Sequence, residues 1–524
     1  MKTPIWTSIL IFHCAACGGG EGGSYFADTG YYGASNTAPT DYGSATNTGT
    51  GGEPEVEDDF LALAPAETDK YVFVANPNRN TVTRINLLTQ EVRTTEVGVD
   101  PKIVITTPDY RSAAVFNRGD DTVSLIDADT MDQQVVEVRP HLNSMRSSPD
   151  AQWLALWHDA DAERDDDPIP PGTQSFNEAS FVNVTTGQHF AMAVGFNPHE
   201  ITFTADSKTA AVVSDNSIAL VDMQQALLLP ELIVVSDDLD PPRAEELALA
   251  PDGSYGFLRQ FGATELLVVD LPGRGIDSVP VGENPTDLDI SPDGTKAVAL
   301  SRGANQLWIY QVADPFAQPE VIDLPAEPAG GFGQLLFDPR GDQAILFTNA
   351  SLTDLVGIWD LNTNDVTLRR LVKPVRTVSI TPTGESLLIF HTEDDAIGAD
   401  LTSPFHGEWA ITMMDLTDFR TNPLLLPAEP TGWAQSTNGD FGYFIMENAN
   451  YLEVLHYDTL LYDQINLPSP PVWVGVLPDL DLTDGDEPPA WVSQEHELGR
   501  LTFYDADDGT AETITGFELN SEVE

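Results

Sequence analysis

One short pattern returns along most of this chain: two or three apolar residues followed by Asp or Asn. It reads TRINLLT at Asn86, SLIDADT at Asp127, SFVNVTT at Asn183 and ALVDMQQ at Asp222. It continues as LVVDLPG at Asp270, GIWDLNT at Asp360, TMMDLTD at Asp415 and TFYDADD at Asp505, with degenerate copies around Gln311 and Asp458. That makes about ten copies, spaced by roughly 40–56 residues, and a fixed period of this size signals a repeat architecture.

Each copy belongs to a longer unit. An upstream strand runs into a tight turn, as in LALAPDGS from Leu247, LDISPDGT from Leu288 and VSITPTGE from Val378. A second strand follows, such as YVFVAN or KAVALS, then the signature strand, then a last strand such as EVRTTEVG. Pro fixes φ and Gly supplies φ > 0, which tight hairpins require. The unit is therefore strand–turn–strand–strand–strand. A four-stranded sheet with two apolar faces cannot bury them alone, but neighbours stacked around a ring cover both. The prediction is an all-β fold, a β-propeller of four-stranded antiparallel blades spanning 58–519. The number of units leaves open one large ring, two smaller rings, or an eight-bladed ring with two units over-counted. No Pro/Gly linker splits the array, which favours a single one. The only hint of helical period falls at Asp222–Leu229.

KYVFVANPNRNTVTRINLLTQEVRTTEVGVDP (70–101) and VGENPTDLDISPDGTKAVALSRGANQLWIY (281–310) resemble the YVTN repeat of secreted bacterial and archaeal surface propellers, within the WD40/YVTN repeat-like superfamily. The resemblance implies a propeller in the periplasm or at the cell surface. It implies no single activity.

The first residues agree with export. Lys2 precedes a short apolar run, Ile5 to Phe12, too short to span a bilayer and suited to a signal peptide. Ala15 and Ala16 then precede Cys17, which resembles the lipobox of bacterial lipoproteins and makes Cys17 the expected lipidation site. Plain secretory cleavage, or a redox or metal role for the Cys14/Cys17 pair, are the competing readings; no further metal ligands follow nearby. The expected organisation is a signal peptide at 1–16, a Gly/Ser/Thr-rich disordered tether at 17–57, the repeats, and an acidic tail at 520–524. A flexible tether of roughly 40 residues would span about 35 Å root-mean-square. The expected location is an outer-membrane anchor, with the propeller in the periplasm or on the surface.

Acidic residues number 83 against 24 basic, a formal charge of −59. A surface this negative repels nucleic acid and anionic headgroups, so membrane contact is expected through the lipid alone. The remaining partner classes are an envelope protein or a small-molecule or glycan ligand.

Specific sites are sparse. The signature Asp residues repeat in nearly every unit, so they read as turn-closing side chains. The loop PDLDLTDGDEPPAW holds Asp479, Asp481, Asp484 and Asp486 and is the best calcium candidate, since calcium takes six to eight oxygen ligands from such turns. His141, His199, Arg376, Trp433 and Trp473 stand near the starts of innermost-strand segments and are the channel-binding candidates. No catalytic motif such as G-x-S-x-G or H-E-x-x-H occurs. The leading expectation is a non-catalytic binding or scaffold module. The alternative is an envelope enzyme, lactonase-like or quinone-dependent, working at the central channel. Two long insertions, Asp159–Glu178 and Glu393–Glu408, are expected to project from one face.

Overall fold

The second and third strands of each repeat are almost continuous apolar runs, which only a sheet covered on both faces can bury. In the computed structural model these strands form ten four-stranded sheets, each a meander of consecutive antiparallel strands. The structure describes residues 65–516, apart from 78, 160–176, 226–229, 236–242, 261, 397–398, 479–487 and 497–498. The blades run 66–96, 101–137, 144–193, 198–234, 244–280, 285–323, 334–370, 375–425, 430–466 and 471–515. We number them 1 to 10. The degenerate repeats at Gln311 and Asp458 are blades 6 and 9, so neither was over-counted.

Burial falls from the second strand outward. Trp153–Trp157 in blade 3 is wholly buried, whereas the fourth strands Gln133–Glu137 and Thr510–Thr515 are mostly exposed. The first strands contact one another from blade to blade and so line the axis. Ten apolar clusters fill the interfaces, each drawing on two neighbouring blades. The tenth joins Val72, Ile85 and Leu87 of blade 1 to Leu477, Trp491, Leu501 and Phe503 of blade 10. That contact closes the ring. Every sheet is one continuous stretch of chain, so the seam is held by side chains rather than by a shared strand.

The turns explain the recurring residues. At the first hairpin a Ser or Thr hydroxyl accepts the N–H five residues on: Ser112 N to Thr107 Oγ1 at 3.1 Å, Lys296 N to Ser291 Oγ at 3.0 Å, Phe441 N to Ser436 Oγ at 2.8 Å. The same hydroxyl donates to the residue two places on, as Ser291 does to Asp293 Oδ1 at 2.6 Å. Gly253 and Gly294 of the Pro-Asp-Gly turns sit at φ +70°, where glycine carries no steric penalty. The signature Asp closes the second hairpin: Asp360 Oδ1 accepts from Asn362 N at 2.8 Å and Thr363 N at 3.0 Å. These carboxylates are turn caps. Asp222 ends a strand and Met223–Gln225 continue as a turn, so the described part of the helical hint is not helix; 226–229 lie outside the described residues.

Alternation of strand direction fixes which loops share a face. Loops between second and third strands, and the connections from one blade to the next, lie on one face, here called the entry face. Both long insertions fall between second and third strands, in blades 3 and 8. The strand ends that flank them therefore meet the entry face in blades five apart in a ring of ten, on opposite sides of the axis; residues 160–176 of the blade 3 insertion lie outside the described residues.

Candidate functional site

Seven inner strands share an irregularity. Register slips by one residue at the second position of the inner strand in blades 2, 4, 5, 6, 8, 9 and 10. A bulge leaves its extra residue out of the ladder and re-aims that side chain. The bulged residues are Lys102, His199, Glu245, Thr286, Arg376, Thr431 and Val472. Inner strands begin at the entry face, so these residues ring the axis at that mouth. Five of the seven bulges follow a Pro that opens the strand: Pro101, Pro198, Pro285, Pro430 and Pro471. Pro lacks the N–H that a ladder position would use, which suits it to a strand start or bulge.

The backbone device repeats while the side chains vary, Thr alone occurring twice, at Thr286 and Thr431. Lys102 pairs with Asp100 at 3.4 Å, and Glu245 accepts from Arg259 at 2.7 Å. Arg259 also donates to Glu246 at 2.8 Å and to the Pro285 carbonyl of the next blade at 3.4 Å. Arg376 donates to Glu429 at 3.0 Å and stands 5.9 Å from the Trp409 ring. Thr431 and Val472 are exposed. Bonds between inner strands brace the channel away from the mouth: Arg146 to the Ile201 carbonyl at 2.6 Å partway along, and, towards the far ends of their strands, Thr106 to the Glu67 carbonyl at 2.7 Å and Gln435 to Ser379 at 2.9 Å.

The predicted channel residues distribute as follows. His199 and Arg376 are bulge residues on blades 4 and 8. Trp433 and Trp473 lie just beyond the bulges of blades 9 and 10. Trp433 packs on Phe390 with ring centroids 5.1 Å apart, and Trp473 packs against the seam cluster. His141 lies in the connection that precedes the inner strand Ser144–Ser147 of blade 3, at φ +63°. Arg376 and Trp433, on adjacent blades, each reach the other's blade, Arg376 through Glu429 and Trp433 through Phe390. Asp479, Asp481, Asp484 and Asp486 lie outside the described residues, as do Cys17, the N-terminal segments and the acidic tail. Among the described residues no group of three or more His, Cys, Asp or Glu is placed to hold a metal ion. Among them, too, no helix is long and apolar enough to cross a membrane.

Two features of the inserted blades are not evident in the sequence. His158 and His391 end, or directly follow, the second strands of blades 3 and 8, and both are buried. Each donates from Nδ1 to a carbonyl at the start of its own blade, His141 and Pro374, at 3.0 Å. Burial pushes the His391 imidazole down to about 4, so it is neutral. Lys373 is the second. Its side chain is fully buried, and its ammonium donates to the Glu393 carbonyl at 2.7 Å, Asp395 Oδ1 at 3.0 Å and the Phe405 carbonyl at 3.0 Å. All three acceptors belong to the blade 8 insertion.

Fold and mouth together define a closed ten-bladed β-propeller. No family model and no curated protein matches the sequence. Solved structures match in shape. One titled as the eukaryotic initiation factor aligns at 12% identity and TM-score 0.53, over 76% of this chain and 97% of that one. The dihydro-heme d1 dehydrogenase NirN aligns at 14% identity and TM-score 0.44, over 87% of this chain and 82% of that one. Kuenenia stuttgartiensis hydrazine synthase aligns at 17% identity and TM-score 0.35, over 61% of this chain and 95% of that one. At these identities the likeness concerns fold alone.

Proposed function

We propose that this protein is an exported, lipid-anchored propeller of the YVTN type that acts as a non-catalytic binding or scaffold module at the bacterial cell envelope. The observation that carries the binding role is the mouth: one backbone bulge repeated on seven inner strands, presenting cationic, imidazole, carboxylate, hydroxyl and aliphatic side chains. Constant backbone with variable side chains suits recognition, because the frame is rigid and each position can be set independently. The charged members, Lys102, Glu245 and Arg376, are already paired within or between blades, which suits a structural mouth better than a set of free acid–base groups. The lipobox at Cys17 and the Gly/Ser/Thr-rich stretch after it supply the anchor and the reach. The partner is an envelope protein, or a small-molecule or glycan ligand, bound at the entry face.

The test is expression of the full chain with an alkyne fatty acid, followed by fractionation and capture. The proposal expects label and membrane association that Cys17→Ser abolishes, together with a ligand or partner lost on Thr431→Trp. A soluble, unlabelled wild-type protein contradicts the anchor. Substrate turnover abolished by Thr431→Trp contradicts the non-catalytic role.

A further inference from the structure

The blade 8 insertion is held, and what it holds out is apolar. Lys373 pins residues 392–396 and 399–409 from below. Asp395 continues the brace by accepting from Gly407 N at 3.0 Å and contacting His406. Asp400 caps the tip, accepting from Thr402 N at 2.9 Å. At that tip Leu401 is 75% exposed. Two neighbouring segments carry matching side chains, Val372 at 39% exposure and Leu352 at 46%. The three segments are bonded in series: Leu371 N donates to the Asp354 carbonyl at 2.7 Å, Val375 N to the Thr353 carbonyl at 3.1 Å, and Lys373 to the insertion. Leu352, Val372 and Leu401 thus occupy one braced area of the entry face.

Its surroundings are acidic. Glu393, Asp394, Asp400 and Glu408, all on the insertion that carries Leu401, are exposed. The cations nearby, Arg370, Lys373 and Arg376, are bound to Asp354, Asp395 and Glu429. A second copy of this chain would bring a like charge of −59 to this area, and an anionic membrane would be repelled as well. Ordering a loop in advance removes the entropy that a mobile loop would lose on binding.

Resting on the scaffold reading above, we infer that Leu352, Val372 and Leu401 form a docking surface for a basic protein partner, one that presents apolar side chains ringed by Lys or Arg. Leu401 is the anchor, the acidic rim sets orientation and on-rate, and Lys373 keeps the arm in its binding conformation.

The test places a photo-crosslinking amino acid at 352, at 401 and, as a control, at exposed Leu232 on the outer strand of blade 4, in the full-length protein in its native host. The inference expects the same protein to be captured from 352 and 401 and not from 232. Purified, that protein should bind directly. Its affinity should fall at least roughly tenfold with Leu401→Asp, and fall again as NaCl rises from about 50 to about 500 mM. Different products from 352 and 401, none at either, a second copy, a lipid, or a partner indifferent to Leu401→Asp each overturn it. A crosslinker at Thr431 separates the two claims. Capture there but not at 352 or 401 sinks this surface and spares the mouth; capture nowhere sinks both.

Discussion

Replacing Lys373 by Met removes the ammonium while keeping most of the stem that fills its site. Three hydrogen bonds to the arm disappear, at 2.7, 3.0 and 3.0 Å. A charge-assisted bond contributes about 1.5 kcal/mol or more, so the gross loss is about 4–5 kcal/mol. Two effects offset it. The buried ammonium no longer needs to be desolvated, and the freed carbonyls of Glu393 and Phe405 can turn to water. A net loss of about 2–3 kcal/mol in arm closure remains, roughly 30- to 150-fold in the opening equilibrium. The loss should stay local, because the three bonds link Lys373 only to the insertion. Hydrogen exchange resolved by peptide should show protection lost across 393–408 while the strands of blade 8 keep theirs, and the ring should melt within a few degrees of wild type. Unchanged exchange in the arm would refute the latch. Collapse of the whole ring would refute its locality.

Three further expectations concern other elements. Burial pushes the Glu67 carboxyl, on the first strand of blade 1, up to about 8, against the lowering contact of the Trp491 indole. The folded state then binds a proton that the unfolded state releases above the usual Glu value, so this site loses stability as pH rises from about 4.5 to about 8. Thermal melts of Glu67→Gln should lack that part of the decline, and an identical pH profile would contradict the assignment. Asp360→Ala removes the acceptor for two backbone N–H groups and should cost about 1 kcal/mol in denaturant unfolding, with binding untouched; a larger effect on binding than on stability would contradict the turn-cap role. Excess calcium should raise the melting temperature, and Asp481→Ala with Asp484→Ala should remove the rise; equal melts with calcium and with chelator would end the calcium reading.

The repeat unit was legible because each strand position leaves its own mark. Doubly covered second strands are apolar throughout, as in KAVALS; hairpins need Asp, Gly and Pro; and the signature Asp caps a turn in blade after blade. Blade number was harder to read, because Gln311 and Asp458 depart from the signature while their blades still close the same meander. The bulges left a partial trace in the Pro that opens five inner strands, and His199 and Arg376 stood out by chemistry; Lys102, Glu245, Thr286, Thr431 and Val472 carried no pattern of their own. Lys373 could not be read at all. In LVKPVR it looks like a solvated surface lysine, and only an insertion twenty residues on, folding back over it, makes it buried.

Ring closure is the claim on which the shared mouth and the opposed insertions depend. Gln90 of blade 1 and Glu512 of blade 10 touch side chain to side chain although 422 positions apart in sequence. With Cys14 and Cys17 replaced by Ser, Gln90→Cys with Glu512→Cys should be bridged within one molecule by a bis-maleimide whose spacer matches the two side chains it replaces, as readily as Gln306→Cys with Asp323→Cys, which face each other within blade 6 and also touch through their side chains. In the chain-entropy model a loop of this length adds up to about 6 kcal/mol, so the crosslinked protein should also melt higher. A closed ring predicts both results. Failure of the 90–512 pair to crosslink while the 306–323 pair does would show that blades 1 and 10 do not meet.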